Sequence, residues 1–315
     1  MNRRALGSTG RSVSEVGHGL WGMGSWSGSD DDANRDALRH SMDRGCTFFD
    51  SAFVYGNGYS DALIGEIARQ SGRQDLVLAS KIPPADFKWP SSPEVPLRAV
   101  FPRAHVLEYA GRIRRAFGRP VDLLQFHVWE DAWAKESEWQ DTVAELKTAG
   151  TIKAFGLSLN RWQPENGLAA IETGLIDAVQ VIYNVFDQAP EDRLFPLCRA
   201  RGVGVIARVP LDEGSLGGKL TLATRFPDGD WRAGYFNPER LAETVKRVEA
   251  LKHELPEGMR LPELALRYIL SEPAVSTAIA GMRNRAHVTQ NLAAAAKGPL
   301  PADLIARLHA HRWNR

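Results

Sequence analysis

Short apolar runs alternate with longer stretches of helical periodicity along the whole chain, and this alternation restricts the fold more than any other feature. Eight candidate strands lie at 16–19, 46–50, 76–81, 121–127, 154–158, 178–182, 203–207 and 277–281. Helical stretches between them include 31–44, 60–69, 104–117 and 134–148. Strands separated by helices must cross over in one hand and form a parallel sheet whose outer face the helices cover. Eight such units predict a closed (β/α)8 barrel of the TIM type, and 315 residues suit one such domain over 1–315.

The punctuation supports that division. Gly45 and Gly150 stand where a helix would end just before a new strand, and Asp30 and Ser60 are expected N-caps. The opening RALGSTGRSVS reads as a β-hairpin turning at Ser8-Thr9-Gly10, and a further helix is expected over 302–311. Two connections are unusually long, 82–102 and 208–236. Both follow strands, so both would rise from the C-terminal face of the barrel, where such folds place their active sites.

Charge and composition exclude several function classes. Lys plus Arg number 39 against 38 Asp plus Glu, which leaves no basic field for nucleic acid or an anionic membrane. No run approaches the ~18 apolar residues of a membrane span, and MNRRALGSTG lacks the apolar core of a signal peptide, so a cytoplasmic location is expected. Cys46 and Cys198 sit in apolar or helical contexts and read as buried free thiols. The histidines are scattered rather than at ligand spacing, so no metal is expected. No patterned interface indicates an oligomeric state.

Four polar residues close or closely follow apolar strands: Asp50 in CTFFDSA, Tyr55 in SAFVYGNG, Lys81 in LVLASKI and His127 in LLQFHVW. Each alone has an ordinary structural reading as a cap, a loop contact, a solvated strand end or a core histidine. Together they come from consecutive strands, and barrel closure would gather them at one rim.

The stretch Asp50-Ser51-Ala52-Phe53-Val54-Tyr55-Gly56, continuing through Ser60-Asp61 to Gly65-Glu66, resembles the signature of the aldo-keto reductase superfamily. Asp50, Tyr55, Lys81 and His127 match its tetrad position by position, and the resemblance runs from Leu6-Gly7 to Asn291. It implies hydride transfer from NADPH to a small-molecule carbonyl, an aldehyde or ketone. The alkoxide that develops must be protonated. A phenol with a pKa near about 10 is a sluggish donor. The expectation is therefore that Tyr55 gives the proton, Lys81 lowers its pKa, Asp50 anchors Lys81, and His127 orients the carbonyl.

No G-x-G-x-x-G pattern suggests a Rossmann site. The resemblance instead implies a nicotinamide nucleotide across the barrel mouth. Ser158, Asn160 and Gln180 are implied carboxamide ligands, with Leu159 where an Asn is usual. ARVPLDEGSLGGK resembles the family's pyrophosphate loop, with Arg208 in place of a stacking aromatic, and Leu211, Gly214 and Leu216 giving close backbone approach. IAGMRNRAHVTQNLAAA resembles the adenine-side motif, implying Gly281, Arg283, Gln290 and Asn291, with Asn284 capping a helix and His287 departing from the pattern. An arginine beside a helix N-terminus suits a 2′-phosphate.

Trp21, Phe53, Trp89 and Trp129 are expected to wall the substrate pocket, and Trp21 also borders the cofactor. Three alternatives stay open: the same site oxidising a sugar or alcohol, a cofactor-binding regulatory or sensor protein on this fold, and a barrel lyase or isomerase using Lys81 as a Schiff base.

Overall fold

A computed structural model describes residues 1–24 and 29–315. An antiparallel hairpin of β1 (Arg3–Ala5) and β2 (Ser12–Ser14) opens the chain, with Thr9 N–H and Oγ both donating to the Leu6 carbonyl in its turn. Eight parallel strands follow: β3 (Val16–Gly19), β4 (Phe48–Asp50), β5 (Val77–Ile82), β6 (Leu123–Phe126), β7 (Phe155–Ser158), β8 (Ala178–Ile182), β9 (Gly204–Arg208) and β10 (Val275–Gly281). They close in the order β10-β3-β4-β5-β6-β7-β8-β9, the expected (β/α)8 TIM barrel.

The outer layer includes α1 (Asp31–Asp43), α2 (Tyr59–Ser71), the short α3 (Leu97–Val100), α4 (Arg103–Phe117), α5 (Ser137–Thr148), α6 (Leu168–Glu172), α7 (Leu194–Arg201), α8 (Arg232–Tyr235), α9 (Pro238–Lys252), α10 (Leu261–Ser271), α11 (Arg285–Ala296) and α12 (Ala302–Leu308). Asp30 caps α1 by accepting from Ala33 N–H, and Gly45 and Gly150 take left-handed φ after α1 and α5, as expected. Ser60 is not a cap. Gly58 holds that position, and the Ser60 hydroxyl turns inward to Ser51. α5 begins at Ser137 rather than 134, because Asp131–Trp133 forms a separate 3-10 turn.

Alternation along the strands places the chemistry. The barrel interior near the hairpin is apolar, built from Phe48, Val77, Ala79, Leu123, Ala154, Ala178, Ile206 and Ile279 together with Leu6 and Val13. Side chains two residues further along a strand point the same way. Stepping by two from these residues reaches Asp50, Lys81, Gln125, Gln180 and Arg208, and two such steps from Ala154 reach Ser158. The same alternation that fills the base with hydrocarbon delivers a polar layer to the C-terminal mouth.

The helical layer packs closely on itself. A Cβ on Gly65 of α2 would lie 2.2 Å from the Ala116 carbonyl oxygen and 2.8 Å from the Phe117 Cα of α4. Gly→Ala in an unobstructed helix stabilises by about 1 kcal/mol. Here Gly65→Ala should instead lose about 1–3 kcal/mol through overpacking, read as a lower urea midpoint. An unchanged or higher midpoint would contradict this packing.

Candidate active site

Lys81, fully buried on β5, donates from Nζ to Asp50 Oδ2 at 2.6 Å and to the Ser51 carbonyl at 2.7 Å. Asp50 Oδ1 in turn accepts from Gln180 Nε2 at 2.8 Å and from Gln125 Nε2 at 3.5 Å. The ion pair is thus bonded on both sides, which a buried pair requires to offset its desolvation. Burial still lowers the Lys81 pKa, and Asp50 opposes that shift.

Tyr55 lies above this pair in the loop 51–58. Tyr55 N–H donates to Ala52 O, and its carbonyl accepts from Ser60 N–H at the start of α2. A Cβ on Gly24 would come within 2.6 Å of the Tyr55 carbonyl carbon, so only glycine lets the loop after β3 press on this backbone. Lys81 Nζ sits 5.4 Å from the phenol ring centre. His127, just past β6 with its N–H on Ile82 O, places its ring 6.1 Å from that of Tyr55 at 77°. All four expected tetrad residues meet at one place.

Beyond the expected Lys81 contribution, the surroundings of Tyr55 shift its pKa strongly upward. Burial pushes its pKa up, Asp50 adds to the rise, and the Arg208 charge only partly reverses it. Burial and Asp50 outweigh the Arg208 charge, so Tyr55 is held as a neutral phenol, the form a proton donor needs. His127 is held well below the usual imidazole range by burial, then by Lys81 and Arg208, so it is neutral as well.

Arg208 ends β9 beside this group. One guanidinium nitrogen donates to the Leu159 carbonyl at 2.8 Å, while Nε is buried without a partner. Burial and then Arg161 bring its pKa down to about 10. Its neighbours in the loop take left-handed backbone at Val209, Asp212 and Glu213 (φ 57, 44 and 55) as well as at Gly214. Non-glycine residues hold such conformations only where surroundings enforce them. The enforcers are visible: Arg315 pairs with both Asp212 and Asp187, and Arg161 bonds Glu213 at 2.6 Å. Leu211 precedes the 3-10 turn Asp212–Gly217, and Leu216 is buried within it. Trp21 and Trp231 meet edge to face at 5.8 Å, joining the loops after β3 and β9.

Beyond β10, Arg283 follows Gly281 by two residues and packs its side chain against Gly22. Asn284 caps α11 by accepting from His287 N–H. Gln290 and Asn291 line a cleft of about 290 Å³ between α10 and α11, together with Arg260, Glu263 and Lys297. A cleft of about 540 Å³ between α4 and α5 holds Arg114, Arg115 and Arg119 but no tetrad residue, so volume alone does not locate the chemistry.

Other expected site residues are placed differently. Asn160 spends its amide on Trp129 O, Glu130 and Gln163, tying two loops together. The Gln180 amide nitrogen goes to Asp50 rather than outward. Trp129 is fully buried against Trp133 and Trp139, a core contact and not a pocket wall. The chain leaves β6 at Phe126, which turns this side chain away from the interior column. Phe53 packs behind the tyrosine loop on Tyr109 of α4. Trp89 does reach the mouth, 5.7 Å from His127 and 45% exposed, with Phe87 beside it at 6.3 Å. Phe87, Gln125 and Arg161 were not singled out by sequence, although Gln125 shares the alternation that marks Lys81 and Gln180.

Comparison with known proteins decides the family. The family model "Aldo/keto reductase family" matches residues 15–312. The chain belongs to the aldo/keto reductase family. It is 27% identical over 290 residues to aldo-keto reductase YhdN of Bacillus subtilis (strain 168), covering 90% of this chain and 85% of that one. It is 26% identical over 315 residues to the NADH-specific methylglyoxal reductase of Escherichia coli (strain K12), covering 93% of each. The holo form of aldo-keto reductase AKR11C1 from Bacillus halodurans superposes with a TM-score of 0.79 at 26% identity, covering 100% of this chain and 97% of the other. This aldo/keto reductase is therefore an oxidoreductase on a TIM barrel, and no helix among its described residues is long and apolar enough to cross a membrane.

The buried pair allows a stability test. Asp50→Ala leaves the Lys81 ammonium without its main partner and should cost about 3–5 kcal/mol in chemical denaturation. Adding Lys81→Met to that variant should recover part of the loss. Strictly additive losses would show that the two side chains do not act as a pair.

Proposed function

We propose that this aldo/keto reductase transfers a hydride from NADPH to the carbonyl carbon of an aldehyde or ketone, with Tyr55 as the proton donor. The observation that carries the proposal is the convergence of Tyr55, His127 and the Lys81–Asp50 pair at the barrel mouth. Bound at that mouth, the dihydronicotinamide supplies the hydride.

The chain's own residues fit such a group. The Arg208 Nε is buried without a partner, and leaving a buried donor unsatisfied costs about 1–3 kcal/mol unless a ligand takes it. Arg208 and Ser158 would hold the nicotinamide end, the loop around Leu211, Gly214 and Leu216 the pyrophosphate, and Gln290 with Asn291 the adenine side. Arg283, next to the capped start of α11, would meet a 2′-phosphate, and this favours NADPH over NADH.

Each tetrad residue has a distinct task in the reaction. His127 is neutral, so it can donate a hydrogen bond to the substrate carbonyl and orient it without offering a competing acid. Tyr55 gives its hydroxyl proton to the oxygen on which negative charge develops. The Lys81 ammonium steadies the phenolate left behind, and Asp50, Gln125 and Gln180 keep that ammonium in place. Trp21, Trp89 and Phe87 stand exposed about the mouth and suit an aromatic or extended apolar carbonyl compound.

Tyr55→Phe should reduce carbonyl turnover roughly 10²–10⁴-fold while NADPH binding, followed by fluorescence quenching, changes little. Turnover like that of the wild type would refute the assignment. In the same binding assay the wild type should hold NADPH more tightly than NADH, and Arg283→Ala should weaken NADPH roughly tenfold or more while sparing NADH. Equal affinities in the wild type would refute the NADPH preference.

A further inference from the structure

One carboxylate below the mouth is unaccounted for by the tetrad. Asp61, on the first turn of α2, is fully buried. Its Oδ1 accepts from Ser80 Oγ at 2.8 Å, and its Oδ2 is buried with no partner. Ser51 and Ser60 lie alongside with their hydroxyls bonded at 2.5 Å, and the Ser51 carbonyl is the second acceptor of Lys81. Two buried carboxylates, Asp50 and Asp61, therefore share the neighbourhood of one ammonium. A half-bonded buried carboxylate is costly, and such arrangements concentrate at functional sites.

We propose that Asp61 is a positioning residue for the tetrad, a carboxylate braced by Ser80 that takes up a proton and thereby makes Tyr55 a stronger acid. This inference rests on the reading of Tyr55 as proton donor. The charged groups facing Asp61 are Lys81 on β5 and Asp50 on β4, and Tyr55 feels its charge too. On the other sides of α2 the charges are engaged elsewhere, Arg35 of α1 with Glu66 and Arg112 of α4 with Glu108. Burial lifts the Asp61 pKa to about 6, with the Ser51 and Ser80 hydroxyls and Lys81 pulling it back only part-way.

The sign follows from the charges. Ionised Asp61 raises the pKa of Tyr55 and of Lys81. Below about pH 6 a proton from solvent occupies the carboxylate and the negative charge is gone. The phenol then gives up its proton more readily, and carbonyl reduction quickens. A one-charge change acting through a protein interior predicts a rise of roughly threefold to tenfold from pH 7.5 to pH 5.

Asp61→Asn and Ser80→Ala test this. In the wild type the rate of carbonyl reduction at saturating NADPH should show a limb near pH 6. Asp61→Asn should lose that limb and stay near the low-pH rate throughout. Ser80→Ala removes a donor that favours the carboxylate, so its limb should move to higher pH. In ¹³C spectra of aspartate-labelled protein, the carboxyl signal missing from Asp61→Asn should titrate near pH 6 in the wild type. A purely structural role would lower thermal stability without moving the limb. A limb unchanged in both variants, or a carboxyl signal titrating near pH 4, overturns the proposal. Tyr55→Phe separates the two levels: if it is inactive while Asp61→Asn keeps the limb, only the Asp61 role fails, and full activity in Tyr55→Phe overturns both.

Discussion

The Lys81–Asp50 pair is the constraint around which the mouth of this barrel is organised. Removing two ions from water costs several kcal/mol each, and their mutual attraction repays this only when the remaining bonding positions are filled. The Ser51 carbonyl, Gln125 and Gln180 fill them, drawing on β6, β8 and the first loop residue after β4. A pair of this kind is a poor way to gain stability. It lies at the rim where Tyr55 and His127 also converge, and on the proposed function its positive charge near the Tyr55 ring serves the phenol as it gives up its proton.

The same rim needs a shaped cover, and here the stabilising contacts come from distant parts of the chain. The left-handed run from Asp212 to Gly214 is held by Arg315 and Arg161, whose guanidinium also stacks on Tyr235 at 5.1 Å. Trp313 is flanked by Arg247 at 4.6 Å and Arg315 at 4.3 Å, so the last residues of the chain lie over the loop after β9. Backbone strain in that loop is thereby compensated by ion pairs and cation–π contacts whose partners are far away in sequence.

This division explains what sequence could show. The strands, their order and the tetrad are written in local patterns: an apolar run, a period of two and a polar residue at the end. Asp50 and Lys81 close their strands and so are expected at the mouth, whereas Gln180 is implied only by the family resemblance. Properties set by burial were not legible in this way. Sequence shows that Lys81 carries a charge near Tyr55, but not that burial and Asp50 raise the pKa of the phenol. Trp129 keeps the parity of His127, yet the strand ends first and the ring joins Trp133 and Trp139. Ser60 and Asp61 look like ordinary helix-start residues, and only three-dimensional packing shows them turned inward onto Ser51 and Ser80.

The central claim is that the buried ammonium serves proton donation during hydride transfer rather than binding alone. The most direct measurement is a single turnover with NADPH deuterated at the transferable C4 position, with the product alcohol analysed by mass spectrometry. The wild type should place one deuterium on the former carbonyl carbon, while Lys81→Met should bind NADPH normally yet transfer the label orders of magnitude more slowly. Alcohol without the label, or undiminished transfer by Lys81→Met, would contradict the account.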